Sequence, residues 1–237
     1  MDDHLKRLWR HRGATLPTPR RGPRQQLDLD EILAVAISLA DASGLEAVST
    51  RAVAARFDKT AMALYPYVGT KENLLALMQD QASAMPALSV AQEDLAEGLS
   101  GWATALYEVY LAHPWLTERS WAQATQGPNE QDWMEALLGV FERFAVPPAS
   151  RTPAVTMLYA TVRATAQTAA AYSRLTDADL EAWQAGAAAV PDAYPLTAAL
   201  PAITPNWQDA PRAGLLAAVN LLATGLQAGG PHLSRRD

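Results

Sequence analysis

Between Asp28 and Met78, four sets of apolar residues at helical spacing each follow a residue able to cap a helix, and the middle two sets are very short. Leu29, Ile32, Leu33, Ala36, Ile37 and Ala40 keep the three-and-four spacing of one buried face. Asp28 or Asp30 can cap its start, and Gly44 stands where a C-terminal cap belongs. Ser49 or Thr50 can cap a short helix to about Phe57, with Ala52, Val53 and Ala55 facing inward. Thr60 can cap another to about Tyr67, and Thr70 a longer one carrying Leu74, Leu75, Leu77 and Met78. Helices of two turns are marginal alone, because nucleation costs more than so few hydrogen bonds recover. The middle pair therefore needs bracing, the first short helix against the second. Joined by a tight turn at Asp58 and Lys59, it reads as a helix-turn-helix unit.

Helical patterns continue at about 91–112, 114–122, 129–145, 152–174, 177–189 and 212–228, with Pro114, Pro128, Pro147, Pro148, Pro153 and Pro191 marking breaks. The proline-rich segment 190–211 reads as an ordered loop. No sustained alternation and no Asn-Gly or Asp-Gly hairpin turn appears, so the expected fold class is all-α. Three regions are expected: a basic flexible N-terminal arm over 1–27, the helix-turn-helix unit over 28–80, and a larger helical bundle over 81–237.

Apolar residues make up 49% of the 237, enough to bury a core. The absence of cysteine excludes disulfide scaffolds, thiolate zinc sites and Cys nucleophiles, and fits a reducing cytoplasm. The most apolar stretch, Ala213 to Leu226, is too short for a membrane span and carries Asn220. The basic N-terminus has no apolar run behind it, so it does not read as a secretory signal. Charge is unevenly placed: residues 1–27 hold seven basic and two acidic side chains, a net of +5, and in a chain of −6 the rest carries −11. A basic arm on an acidic body suits contact with a polyanion at one end only.

DNA contact calls for hydroxyl, Lys and Arg groups at exposed helix ends, because phosphates and base edges accept hydrogen bonds. Thr50, Arg51, Lys59, Thr60 and Lys71 can fix register on phosphates, while Ala61, Met62, Tyr65 and Tyr67 lie nearest base edges or thymine methyls. Leu64 would pack inward and the two tyrosines would present rings and hydroxyls outward. Arg20, Arg21 and Arg24 of the arm would add salt-sensitive affinity.

The run LDLDEILAVAISLADASGLEAVSTRAVAARFDKTAMALYPYVGTKENLLALM resembles the DNA-binding domain of the tetracycline-repressor family of bacterial transcriptional regulators. The likeness rests on Ala54–Ala55, Leu64–Tyr65, Tyr67 and Lys71, and RRGPR at Arg20 to Arg24 resembles the basic arm of some members. Two positions depart from the pattern. Asp58 replaces the usual turn glycine, although Asp tolerates the left-handed backbone, and Pro66 falls near the expected end of the recognition helix.

HPWL at 113–116 and GPN at 127–129 look like landmarks of the family's ligand-binding half. The resemblance implies a homodimer through helices near 152–174 and 212–228. Ala154, Leu158, Thr161, Val162, Thr165, Ala169 and Tyr172 form a small-residue stripe on the first, and Leu215, Leu216, Val219, Leu222, Ala223 and Leu226 an apolar stripe on the second. A small apolar or amphipathic effector is implied, with Trp102, Tyr107, His113, Trp133 and Gln167 as candidate lining residues. Tyr67 replaces the His that drug-binding members carry at that position. The four histidines of the chain show no metal spacing, so neither a metal nor another cofactor is expected. No nucleophile elbow, phosphate loop or His-Glu-x-x-His motif is present, which argues against an enzyme. The expected function is a ligand-released repressor bound to a near-palindromic DNA operator; the alternative is a sequestering protein of the same fold that no longer binds DNA.

Overall fold

The computed structural model describes residues 2–14, 27–89, 91–119, 124–188, 194–199 and 207–228, and among these every regular element is helical. The first unit holds α1 (Asp3–Leu8), α2 (Leu29–Ser43), α3 (Thr50–Ala55), α4 (Tyr65–Val68) and α5 (Lys71–Ala82). The second holds α6 (Leu95–Ala112), α7 (Pro128–Arg143), α8 (Pro148–Tyr172), α9 (Asp177–Ala188), α10 (Pro195–Ala198) and α11 (Ala210–Ala228).

Caps set the boundaries of the first unit. The Asp28 carboxylate accepts from the Asp30 and Glu31 backbone N–H groups, and α2 stops at Gly44 with φ +79. The Ser49 hydroxyl oxygen accepts from Ala52 N at 3.1 Å, and Thr70 Oγ1 from Asn73 N at 3.2 Å. Leu29, Ile32, Leu33, Val48, Val53, Leu64, Val68, Leu74 and Leu77 close the core between these helices. Within α3 it is Ala54 that is buried, whereas Ala55 is exposed, one position off the expected face.

In the second unit α6, α8 and α11 pack on one another, and α7 lies against α6, α8 and the far end of α5. α8 begins at Pro148 and runs through Pro153, so that proline does not break it. Its missing donor leaves one carbonyl unpaired near an exposed helix start, where water can serve. The expected helix at 114–122 is a 3-10 turn over Pro114–Glu118, with Pro114 setting its first position. Segment 190–211 contains α10 and a 3-10 turn at Trp207–Asp209.

Two expectations are corrected. The flexible arm is wrong for its described part: α1 is capped by Asp2 and inserts Leu8 into the core at 1% exposure. The physical reason is an apolar side of Leu5, Leu8 and Trp9, short but covered by other elements. Arg20, Arg21 and Arg24 lie outside the described residues. The stripes assigned to a dimer face also point elsewhere, since Ala154, Leu158, Val162, Leu215, Val219 and Ala223 are buried within the subunit. The opposite faces are bare, with Met157 54% and Leu221 75% exposed among small residues such as Ala160, Ala164, Ala217 and Gly225.

Candidate functional site

Two features stand out, an exposed turn near one end of α5 and a small cavity at the other. Asp58 takes φ +53, and the Lys59 N–H donates back to the Ala54 carbonyl at 3.1 Å, so an aspartate makes the turn expected of glycine. The segment that follows, expected from sequence to be the recognition helix, is not one helix. Thr60 has extended backbone and makes no side-chain cap bond, Ala61–Ala63 form a 3-10 turn, and α4 restarts at Tyr65. Pro66 explains the restart. In a continuous helix its ring would meet the Met62 carbonyl, whereas in the first turn of α4 it needs no donor.

This broken segment is pinned by Leu64 and Val68, both fully buried, and presents Met62 at 74% and Tyr65 at 45% exposure. Arg51, Lys59, Thr60 and Lys71 are exposed beside it, and Thr50 and Ala61 are half-buried. Tyr67 departs from its expected orientation. Its ring packs on the core and its hydroxyl oxygen accepts the Leu27 N–H at 3.3 Å, because residue 67 falls on the inner side once the helix restarts at Tyr65.

The cavity holds about 60 Å³ and lies among α5, α6, α7 and α8. Trp133, Tyr110 and Tyr159 give it aromatic walls; Glu130, Arg163 and Gln79 give it polar ones. Burial raises the hydroxyl pKa of both tyrosines, so they stay neutral donors. Trp133 is further tied to the end of α5, its indole N–H donating to the Ser83 carbonyl at 2.6 Å. Ligand sites for drug-sized molecules span roughly 300–1,000 Å³. As it stands, this cavity is smaller than that.

Of the five lining residues expected from sequence, only Trp133 borders this cavity. Trp102 stands behind it, edge-on to Trp133 at 5.8 Å and to Tyr159 at 5.0 Å. Tyr107 borders a separate open cleft beside Arg212 and Asp209. His113 Nδ1 lies 2.8 Å from Asp41 Oδ1, which also accepts the Trp115 indole N–H at 2.7 Å, so this histidine joins α6 to α2. Gln167 is exposed and donates to the Thr117 carbonyl at 3.1 Å. Tyr110 and Tyr159 were missed. Aromatic residues at helical spacing on amphipathic helices resemble core in sequence, and only the crossing of four helices separates wall from core.

One further contact belongs to the site. Asp80, 4% exposed near the end of α5, meets the N-terminus of α7: Oδ1 accepts Asn129 N at 3.1 Å and Glu130 N at 3.3 Å. Burial pushes its pKa up to about 6, against the lowering effect of those two N–H groups. Gly127 makes room for it, since a Cβ there would sit 2.1 Å from Asp80 Oδ1.

Residues 88–228 match the model of the tetracyclin repressor-like C-terminal domain. The HTH-type transcriptional repressor DrrR1 of Streptomyces coeruleorubidus is 35% identical over 147 residues, covering 59% of this chain and 53% of that protein. The chain thus spans about half the length of the curated relatives it matches. Among solved structures, the transcriptional regulator SCO7222, a TetR from Streptomyces coelicolor, is similar with 26% identity, 85% and 98% coverage of the two chains and a TM-score of 0.67. ActR of Streptomyces coelicolor, solved in complex with actinorhodin, shares the fold at 23% identity, with 87% and 98% coverage and a TM-score of 0.73. The curated relatives are named as regulators rather than enzymes.

Proposed function

The chain belongs to the tetracycline-repressor family, and we propose that it is a homodimeric DNA-binding repressor released from a near-palindromic operator by a small amphipathic effector. The observation that carries this reading is the position of α5. Its first residue, Lys71, is exposed beside the recognition turn, and near its last turn Gln79 borders the cavity. A helix rises about 1.5 Å per residue, so the two sites are separated by roughly 12 Å of rigid backbone. A ligand that widens the cavity must push on the element that holds the turn.

Met62 and Tyr65 reach base edges in this reading, while Arg51, Lys59, Thr60 and Lys71 fix register on phosphates. The bare faces of α8 and α11 form the dimer contact, where small residues allow two helix pairs to approach closely. The dimer holds its two recognition turns about 34–36 Å apart, or a multiple of that, to meet successive major grooves. Coupling of about 1–3 kcal/mol between effector and operator is enough for release. The effector class that suits the walls is a planar aromatic molecule with hydroxyl or carbonyl groups, stacked among Trp133, Tyr110 and Tyr159 and bonded by Glu130 and Arg163. Such a role places the protein in the cytoplasm.

Selecting bound fragments from random duplex DNA tests the reading. The expected product is an inverted repeat with half-sites a helical turn or a multiple apart. Recovery of no enriched sequence at modest ionic strength, with a folded protein, would overturn it.

A further inference from the structure

α1 crosses the seam between the helix-turn-helix unit and the bundle. In and just after this helix, four side chains reach other elements. Arg7 Nη2 donates to the Pro66 carbonyl of α4 at 3.2 Å, and the Trp9 indole N–H donates to the Gln126 carbonyl, just before α7, at 3.1 Å. Arg10 donates to Asp30 in α2 at 2.9 Å and to Gln81 in α5 at 2.7 Å, and Arg12 pairs with Asp132 in α7. The basic charges of this segment are thus committed within the subunit.

The Trp9 contact ends on a strained residue. Gln126 has φ +59, a left-handed backbone that is unfavourable for a residue carrying a side chain. Glu130 holds it there, its Oε2 accepting the Gln126 N–H at 2.7 Å and the Thr125 hydroxyl at 2.9 Å. Thr125 and Glu130 are both cavity walls. A group that bonds Glu130 from inside the cavity competes for that oxygen. Without that bond to Glu130, Gln126 would be free to leave the left-handed conformation, which would carry its carbonyl away from Trp9.

We propose that Trp9 and Arg7 are positioning residues of an intramolecular clasp, through which the engagement of Glu130 in the cavity sets the placement of the recognition turn at Pro66. The clasp rests on the repressor reading above, and it adds a second route beside α5. It acts as a two-state element biased from both ends: closed when Glu130 holds Gln126, open when it does not.

Hydrogen exchange on the full chain tests the internal half, with the Glu130→Ala change standing in for a ligand that withdraws the carboxylate. Glu130→Ala is expected to raise exchange at residues 65–69 by about threefold or more, although Glu130 touches none of them. Trp9→Phe keeps a ring in place and removes only the indole N–H; in that background Glu130→Ala is expected to add nothing at 65–69. An equal effect in both backgrounds overturns the clasp. Exchange in α8 serves as the folding control, and if Glu130→Ala raises it too, the single variant Trp9→Phe decides by whether 65–69 responds.

Titration with the selected inverted-repeat duplex tests the DNA half. Arg7→Gln is expected to weaken binding about five- to tenfold with an unchanged salt slope, and Arg7→Lys to restore most of it. A slope reduced by about 0.9 makes Arg7 a phosphate contact and overturns its positioning role. Should the unaltered protein select no duplex, the repressor reading fails, while the exchange comparison still decides whether the clasp exists.

Discussion

The Asp80 carboxylate caps a helix to which it does not belong: from α5, its Oδ1 accepts the backbone N–H of Asn129 in the first turn of α7 at 3.1 Å. The helix that follows the exposed turn is thereby seated on one that walls the cavity. A buried carboxylate at a helix N-terminus gains from the helix dipole and loses hydration, and here the loss is larger.

Asp80 makes stability depend on pH in a predictable direction. Its pKa rises on folding from the ordinary 3.8 to about 6, so its stabilising contribution is full below about pH 4 and fades as pH climbs through 6. The facing charges are Glu130, which reinforces the rise, and Arg10, which opposes it. Asp80→Asn should remove up to about 3 kcal/mol of this pH dependence. Urea unfolding of both proteins at pH 4.5 and 7 checks it; parallel pH profiles would refute the assignment.

Gly127→Ala should destabilise the chain by about 1–3 kcal/mol, because the new methyl collides with Asp80 Oδ1 while the backbone, at φ −80, accepts alanine. Combining it with Asp80→Ala should show a coupling above about 0.5 kcal/mol. Additive thermal shifts would mean the two residues do not meet.

Tyr65→Ala and Met62→Ala should leave melting within about 0.5 kcal/mol of the parent, since both side chains are exposed. Each should cost about 1–3 kcal/mol of specific operator binding. The contrast is Leu64→Ala, buried at 0%, which should lose about 2–5 kcal/mol of stability. Operator affinity beside denaturation curves distinguishes the two classes.

If the proposed dimer forms through the bare faces of α8 and α11, Leu221→Asp should convert it to monomers in sedimentation at micromolar concentration, because an apolar side chain 75% exposed on α11 becomes a charge. An unaltered dimer would place the contact elsewhere.

Asp58→Gly should raise stability by up to about 1 kcal/mol, since glycine relieves the left-handed strain at φ +53 and gives part of the gain back in chain entropy. Equilibrium denaturation measures the difference.

Local chemistry made much of the helix-turn-helix unit legible. The caps at Asp28, Ser49 and Thr70, the stop at Gly44 and the buried face of α2 are short-range relations between residues three or four apart, and they appear where the spacing placed them. Pro66 is local too, but its effect was misplaced: a proline ends a helix or begins one, and only the burial of Leu64 and Val68 selects the beginning.

What tertiary structure alone decided are relations across long separations. Leu8, Trp9 and Arg10 carry no signal that they fold onto Asp30, Gln81 and Gln126, because a six-residue helix is stable only once its apolar side is covered. The cavity is the same case: Tyr110, Glu130, Trp133 and Tyr159 become walls through the angles at which their helices cross. By itself the order of residues determined which segments become helices and which of their sides are apolar, since propensity, caps and periodicity act within a few residues. Which apolar sides meet, and which stay bare for a partner, was decided by packing, because every inward face competes for the same interior.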